Sequence, residues 1–281
     1  MKEDRPSVSL EMESSPETLT LVRGALGGLA EGLNLDPELL DDIKTAVSEA
    51  CNNVVMHAYG EGSGPLSVAL YVGPDTIEVL VRDQGSGIAL LTPSDDRLQG
   101  VGIPIIRALA HQTAFRPVPS GGTEVWMEFQ GRRDGELLYR EPTQAAVEDG
   151  WGQRLEGDAV VSLSPVSFIG GVLGRLARAL AARARFSLDR FSDVYLVTDA
   201  LAAHAMQAAS SSRIAFGIAT GPRHLELTLG PLRSGGSGEL MTDSSNDVVA
   251  ALRLLTDELE VRTENGAEAL HLVMRDQRDR S

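Results

Sequence analysis

The alternation of apolar and polar positions divides the chain into two runs of elements in the same order. In the first run, alternation with period two over 7–12 predicts a strand, and apolar spacing of three and four residues predicts helices over 16–33 and 36–59. Asp36 followed by Pro37 is typical of a helix start, because Asp caps the helix and Pro suits its first turn. The other elements predicted in this half are strands over 66–72 and 76–82, a helix over 101–110, and strands over 114–118 and 123–129.

A stretch of charged and small residues interrupts this periodicity over 131–157. We predict that it is a linker between a domain of residues 1–130 and a domain of residues 158–281. Beyond the linker the order of elements recurs, which predicts an internal duplication. The fold class we expect is α+β, with two tandem α/β sandwiches in which helices cover one face of a mixed or antiparallel sheet. The predicted elements of the second half are strand 159–163, helices 165–183 and 188–209, strands 213–219 and 224–230, helix 246–256, and strands 259–262 and 267–274.

The net charge, the apolar runs and the cysteine count limit what the protein can bind and where it can act. The 281 residues include 40 acidic and 25 basic side chains, a net charge of −15, and the acidic excess lies mainly in the first half. A negative surface repels phosphate backbones, so we expect no direct binding of nucleic acid. Neither a run of eighteen apolar residues nor a signal-peptide pattern is present, which favours a cytoplasmic protein that does not enter the membrane. The lone Cys51 cannot form an internal disulfide, and we expect it to pack inside a helix.

Candidate chemistry begins on the second predicted helix. Glu49 and Asn53 are four residues apart and therefore project from one face of that helix. The amide oxygen of Asn53 is suited to one coordination position on Mg²⁺, and the carboxylate of Glu49 can accept a proton. A Glu and an Asn at this spacing are also common on a solvated helix edge, so the prediction depends on the motifs that follow.

Two glycine-containing segments supply those motifs. Asp83 ends a predicted strand, and its carboxylate can accept the exocyclic N–H of adenine but not the carbonyl that guanine offers there. Gly85 and Gly87 allow the backbone to turn closely against the base. Gly100 and Gly102 then open the third predicted helix, whose free N–H groups can bind phosphate. Together these residues predict an ATP site.

The role of Arg97 has two interpretations, and the positions of the two lysines exclude two other kinds of ATP site. Arg97, the cation of the loop before Gly100, fits either a contact with the γ-phosphate or a surface ion pair with Asp95 or Asp96. The chain has no Gly-x-x-x-x-Gly-Lys motif, which excludes a P-loop. Its only lysines lie at positions 2 and 44, and neither lies on a strand near a glycine-rich loop, as the site of an ordinary protein kinase requires.

These motifs resemble the GHKL (HATPase_c) ATPases, which include gyrase, MutL and histidine kinases, and within them the anti-sigma-factor serine kinases of the RsbW and SpoIIAB type. The resemblance lies in residues 45–59, 81–88, 100–103 and 121–123. It implies a GHKL-type fold that binds ATP and Mg²⁺. It also implies roles for individual residues: Glu49 as the base, Asn53 as the Mg²⁺ ligand, Asp83 and Thr123 at the adenine, and Gly85, Gly87, Arg97, Gly100 and Gly102 around the nucleotide.

The resemblance also implies a function. Members of this branch phosphorylate a serine of a STAS-domain anti-sigma antagonist, sequester a sigma factor in the alternative complex, and usually act as dimers. The sequence leaves a second hypothesis open, in which ATP only gates the binding of a sigma factor or another regulator and no phosphate is transferred. A third hypothesis, a sensor domain of histidine-kinase descent, lacks support because no phosphoacceptor hairpin is predicted.

The second half is predicted to be a degenerate copy of the first. Aligning the helices places either Asp199 or Ala200 at the position of Glu49, and either Ala203 or His204 at the position of Asn53. No carboxylate falls where Asp83 would be. We therefore expect that the second half lacks the site and forms a pseudo-dimer with the first half within one chain, and a homodimer of whole chains remains a further hypothesis.

Overall fold

The computed structural model describes residues 5–86, 102–130, 152–237, 252–264 and 266–276. The chain divides into two compact units, Met1–Leu138 and Tyr139–Ser281. Among the described residues, each unit contains five β-strands and two long helices. The predicted linker over 131–157 spans the division between the units and stays a prediction.

The first unit contains every element that the pattern predicts for it. Its strands lie in the order β1-β2-β3-β5-β4, and each pair of neighbours is antiparallel. The bounds differ from the predicted ones by about two residues, most visibly at β4, which begins before position 114. The elements are β1 Val8–Glu13, α1 Thr18–Leu33, α2 Pro37–His57, β2 Pro65–Val72, β3 Thr76–Asp83, α3 Gly102–Leu109, β4 Gln112–Pro117 and β5 Thr123–Gln130.

The core of the first unit lies between its sheet and the helices α1 and α2. Alternate residues of β1, β2, β3 and β5 are buried, and the residues between them are partly or fully exposed. This alternation places one face of the sheet against the helices and leaves the other face polar, as in antiparallel sheets covered on one side. Among the buried residues are Leu10, Val68, Val79 and Met127.

Helix α2 begins where the sequence predicts. The Asp36 carboxylate accepts hydrogen bonds from the backbone N–H groups of Glu38 and Leu39, at 2.8 and 3.4 Å, and Pro37 occupies the first turn. Because these bonds satisfy N–H groups that have no partner within the helix, they fix its first residue. A buried row that includes Ile43, Val47 and Cys51 then packs α2 into the core.

The second unit repeats this architecture. Its strands lie in the order β6-β7-β8-β10-β9, again with antiparallel neighbours, so each unit places its first, second, third, fifth and fourth strands side by side. Of the predicted helix over 246–256, residues 252–255 are helical, and 246–251 lie outside the described residues. The elements are β6 Ala159–Leu163, α4 Ile169–Arg183, α5 Leu188–Ala208, β7 Ile214–Gly221, β8 His224–Leu232, β9 Glu258–Glu264 and β10 Ala267–Arg275.

Strand β9 ends this strand order and carries charged side chains at alternate positions. Glu260 pairs with Arg262 at 3.4 Å, and Glu258 pairs with Arg275 of the neighbouring β10. These side chains are between 40 and 57% exposed. The outer strand of the second unit is therefore a polar, solvated one.

The last part of the predicted linker packs onto the second unit. A 3-10 helix covers Gly152–Arg154, and the carbonyl oxygen of Glu156 lies only 2.7 Å from the place that a Cβ atom at Gly217 would occupy. Gly217 lies in β7, so this segment packs closely against that strand. Within the described part of the chain, no helix is both long and apolar enough to cross a membrane.

The burial of Cys51 generates a prediction about its reactivity. The side chain is fully buried in α2, and burial raises the pKa of the thiol to about 12. The thiolate is the reactive form, so the folded protein should resist a thiol reagent such as dithionitrobenzoate at pH 8. In guanidinium chloride the pKa returns to about 8.5 and labelling should become fast. Because Cys51 is the only cysteine, the labelled fraction reports on this site alone, and fast labelling of the folded protein would contradict the packing described here.

Candidate functional site

Helix α2 presents Glu49 and Asn53 to the start of α3. Both side chains are partly buried. A Cβ atom at Gly102, the first residue of α3, would lie 3.0 Å from Glu49 Oε2 and 3.4 Å from Asn53 Oδ1. The first turn of α3 therefore lies directly against the carboxylate and the amide. The first N–H groups of a helix have no partner within it and carry partial positive charge, so they can bind an anion. This arrangement therefore brings a carboxylate, a neutral amide oxygen and such N–H groups to one place.

Asp83 ends β3 and joins two other predicted motifs. The side chain is 3% exposed. Its Oδ1 accepts a hydrogen bond from the backbone N–H of Gly85 at 2.8 Å, and its Oδ2 accepts one from the N–H of Thr123 at 3.1 Å. A carboxylate offers about four lone-pair positions, so each oxygen keeps the capacity to accept a further bond from a ligand. The family resemblance implies that Asp83 and Thr123 lie at the adenine, and in the structure the Asp83 carboxylate binds the backbone N–H groups of both Gly85 and Thr123.

The loop after Asp83 is held against the end of α2. The N–H of Ser86 donates to the carbonyl oxygen of Ala58 at 2.9 Å, and the hydroxyl of Ser86 donates to the same oxygen at 3.3 Å. A Cβ atom at Gly85 would lie 2.1 Å from that carbonyl oxygen, so only glycine fits at this approach. Helix α2 thus contacts both parts of the candidate site, through Glu49 and Asn53 and through its last residues.

The described residues contain six of the nine predicted site residues. Glu49, Asn53 and Gly102 form one group, and Asp83, Gly85 and Thr123 form the other. The remaining three, Gly87, Arg97 and Gly100, lie outside the described residues, and their roles stay predictions.

Two contacts at the site were not predicted from the sequence. The guanidinium Nε of Arg23 in α1 donates to Ser48 Oγ at 2.8 Å, next to Glu49. The hydroxyl of Tyr59 accepts from the N–H of Gln84 at 2.8 Å and donates to the carbonyl of Pro65. Tyr59 lies in the segment that carries the family resemblance, but a phenol close to a helix end does not by itself indicate which backbone groups it will bind.

The second unit lacks the corresponding side chains. Helices α2 and α5 each have 21 residues and a side-chain cap, Asp36 and Ser187 respectively. Aligned by these caps, α5 has Ala200 at the position of Glu49 and His204 at that of Asn53, which is one of the two registers that the sequence leaves open. Neither alanine nor histidine reproduces the pair.

A different residue holds the loop after β8. The carboxylate of Glu268, on β10, accepts hydrogen bonds from the N–H groups of Gly235 and Ser237, at 2.5 and 2.9 Å. Burial raises the pKa of Glu268, but the bonds from Gly235 and Ser237 together with the nearby His204 outweigh burial, and the net effect is a lowered pKa. Asp83 holds its own loop from β3, whereas Glu268 holds the corresponding loop from the neighbouring strand. No pattern in the sequence indicates that Glu268 holds this loop.

Comparison with known proteins agrees with this geometry. The sequence profile of the histidine kinase-like ATPase domain matches residues 12–129. The serine-protein kinase RsbW of Bacillus licheniformis is 33% identical over 103 residues, which are 36% of this chain and 62% of the relative. RsbW of Bacillus subtilis is 36% identical over 86 residues, 30% of this chain and 54% of the relative. RsbW of Listeria innocua is 32% identical over 116 residues, 36% of this chain and 74% of the relative.

The fold and the site define the first unit as a GHKL ATPase domain of the anti-sigma kinase branch. The chain belongs to the RsbW serine-protein kinase family. It spans between about half and three-quarters of the length of these relatives. A solved structure of the RsbU and RsbW domains of a Mycobacterium tuberculosis protein is 22% identical, covers 43% of this chain and 32% of that chain, and has a TM-score of 0.35, too low to add to the argument.

The bonds that Asp83 accepts generate a prediction about stability. In Asp83→Asn, the amide NH₂ replaces one acceptor and faces a backbone N–H of Gly85 or Thr123. The free energy of unfolding of the first unit should fall by about 1–3 kcal/mol, because a buried donor is left without its partner. Urea unfolding followed by the fluorescence of Trp126, in a Trp151→Phe background, measures this change. The control is Asp75→Asn in the exposed turn between β2 and β3, and an equal loss in both variants would refute the role of Asp83.

Proposed function

We propose that the first unit is an ATP-dependent protein-serine kinase that acts by partner switching. The observation that carries the proposal is the contact of Glu49 and Asn53 with Gly102 at the start of α3, because it gathers a base, a metal ligand and phosphate-binding N–H groups. The curated relatives are named serine-protein kinases, which supports the same activity. The substrate we propose is a serine of a STAS-domain anti-sigma antagonist, and the protein bound in the alternative complex is a sigma factor.

The residues present fit a magnesium ion that is held mainly by phosphates. Among the described residues, no group of three His, Cys, Asp or Glu side chains could hold a metal ion. Mg²⁺ at phosphoryl-transfer sites usually takes one or two protein oxygens together with phosphates and water. The amide oxygen of Asn53 would supply the protein ligand. When bound, Mg²⁺ neutralises charge that develops on the phosphates.

The reaction then follows from the side chains on α2 and the strand ends. Asp83 accepts the exocyclic N–H of adenine and so fixes the base end of ATP. The N–H groups at the start of α3 hold the phosphates. Glu49 accepts the proton of the substrate serine while the serine oxygen bonds to the γ-phosphorus and the bond to ADP breaks. Positioning supplies most of the rate enhancement of such a transfer, so this short set of groups is sufficient.

We also propose that the second unit is a degenerate copy of the first and takes the role of a second subunit. The same strand order, the equal length of α2 and α5 and the matching caps support a common origin. Ala200 and His204 in place of Glu49 and Asn53, and the absence of a carboxylate at residues 227–233, argue against a second nucleotide site.

Removal of the Glu49 carboxylate tests the kinase activity. Glu49→Gln keeps the shape of the side chain but removes the base, so transfer of labelled phosphate to the STAS-domain partner should fall by about 10²-fold or more. The dissociation constant for ATP should stay within about threefold of the wild-type value, because Glu49 acts on the proton of the substrate serine and not on the binding of ATP. Glu38→Gln, on the exposed first turn of the same helix, is the matched control and should leave transfer unchanged.

The same assay separates the kinase from a binding module. Transfer that survives in Glu49→Gln would remove Glu49 from the role of base. Stable co-elution of the wild-type chain with its partner in ATP, without any label on the serine, would instead establish an ATP-gated module that binds without catalysis.

The stoichiometry of nucleotide binding tests the assignment of the second unit. Calorimetric titration with Mg-ATP should give one bound nucleotide per chain, and Asp83→Asn should weaken that single event. Two bound nucleotides would show that the second unit has kept a site. A chain that binds none would be an interaction protein, and the proposed kinase would be refuted.

A further inference from the structure

Tyr59 lies between the end of α2 and the loop that follows Asp83. Its hydroxyl accepts a hydrogen bond from the backbone N–H of Gln84 at 2.8 Å and donates one to the carbonyl oxygen of Pro65, at the start of β2. Both capacities of the hydroxyl are therefore used. Because Gln84 directly follows Asp83, the phenol acts on the residue next to the proposed adenine-binding carboxylate.

The three successive N–H groups of this loop are each bound. The N–H of Gln84 donates to Tyr59, that of Gly85 to the Asp83 carboxylate, and that of Ser86 to the carbonyl of Ala58. The loop is thus held by Ala58 and Tyr59, which follow each other at the end of α2, and by Asp83 itself. Of the three acceptors, the phenol is the one that a substitution can remove without altering the backbone or the proposed ligand of adenine.

The position of the Tyr59 ring is set by a glycine. A Cβ atom at Gly64 would lie 2.3 Å from Cε1 of Tyr59 and 2.6 Å from Cζ, so the ring packs directly on the backbone there. At Gly62, two residues earlier, a Cβ atom would meet only the carbonyl oxygen of Tyr59, at an ordinary 3.5 Å. Of the alanine substitutions at these two positions, only the one at Gly64 is therefore expected to displace the ring of Tyr59.

We propose that Tyr59 is a positioning residue for adenine recognition, which holds Gln84 so that the carboxylate of Asp83 meets the base at a fixed angle. This inference rests on the proposed binding of ATP. Tyr59 itself does not touch the nucleotide and acts through the loop. Burial raises the pKa of its hydroxyl, so the group stays protonated and can donate to Pro65 across the neutral range.

The test compares ATP with GTP, because the two nucleotides share the triphosphate and differ in the base. In Tyr59→Phe the affinity for Mg-ATP should fall by about 2- to 10-fold, the effect of one hydrogen bond. The weaker affinity for Mg-GTP should stay the same, because GTP gains nothing from a correctly placed Asp83. The ratio of the two dissociation constants should therefore shrink by the factor that ATP loses. Calorimetry or displacement of a fluorescent ATP analogue gives both constants.

Two pairs of variants control for a general loss of structure. Tyr71→Phe removes the hydroxyl of another partly buried tyrosine, which lies on β2 and away from the loop after Asp83, and should change neither constant. Gly64→Ala displaces the Tyr59 ring and should reproduce the loss for ATP, whereas Gly62→Ala should not. Tyr59→Phe combined with Gly64→Ala should lose no more than the larger single effect, because both changes act on one contact.

The outcomes separate this inference from the proposed function. Wild-type protein that binds no ATP refutes both. Wild-type protein that prefers ATP, together with a Tyr59→Phe variant of unchanged preference, refutes only the role of Tyr59. Equal losses for ATP and GTP in Tyr59→Phe would show that the phenol merely supports the fold, and that result refutes the inference as well.

Discussion

The candidate site depends on the fact that one helix contacts both of its parts. The middle of α2 carries Glu49 and Asn53, which lie against the first turn of α3, and its end holds the loop that follows Asp83. A buried row along the same helix packs it into the core, so the helix cannot shift without disrupting the apolar packing. The geometry between the two groups is therefore set by a rigid element, as precise positioning of reacting groups requires.

The two units share a strand order but not the side chains of the candidate site. The second unit has the same strand order and a helix of the same length, yet Ala200 and His204 occupy the positions of the candidate base and metal ligand. It also holds the loop after β8 with a carboxylate, but that carboxylate is Glu268 of the adjacent strand. In both units a carboxylate accepts hydrogen bonds from the backbone N–H groups of a tight turn, but the two carboxylates lie on different strands. A fold of this kind is preserved by packing and backbone hydrogen bonding, and the site is an addition to it.

Much of the fold was predictable because its signals are local. Alternation gave the strands, and Asp36 with Pro37 gave the start of α2, since both depend on residues close in sequence. The grouping of Asp83 with Gly85 and Thr123 was predictable from the family resemblance. The hydrogen bonds of Tyr59 were not predictable, and neither was the fact that Glu268 of β10, and not a residue of β8, holds the loop after β8. In each case a side chain binds backbone groups that are distant in the sequence. The register of α5 required its cap, Ser187, which is one of several serines near that helix.

The outermost strand of the second unit limits how a partner can bind there. Strand β9 alternates charged side chains, and Glu258, Glu260 and Arg262 are held in ion pairs along its length. An incoming strand would have to bury or displace these charges, which makes such an edge a poor template for extension of the sheet. Recognition by β-augmentation is therefore disfavoured at β9. The same charges disfavour edge-to-edge pairing of two chains through β9.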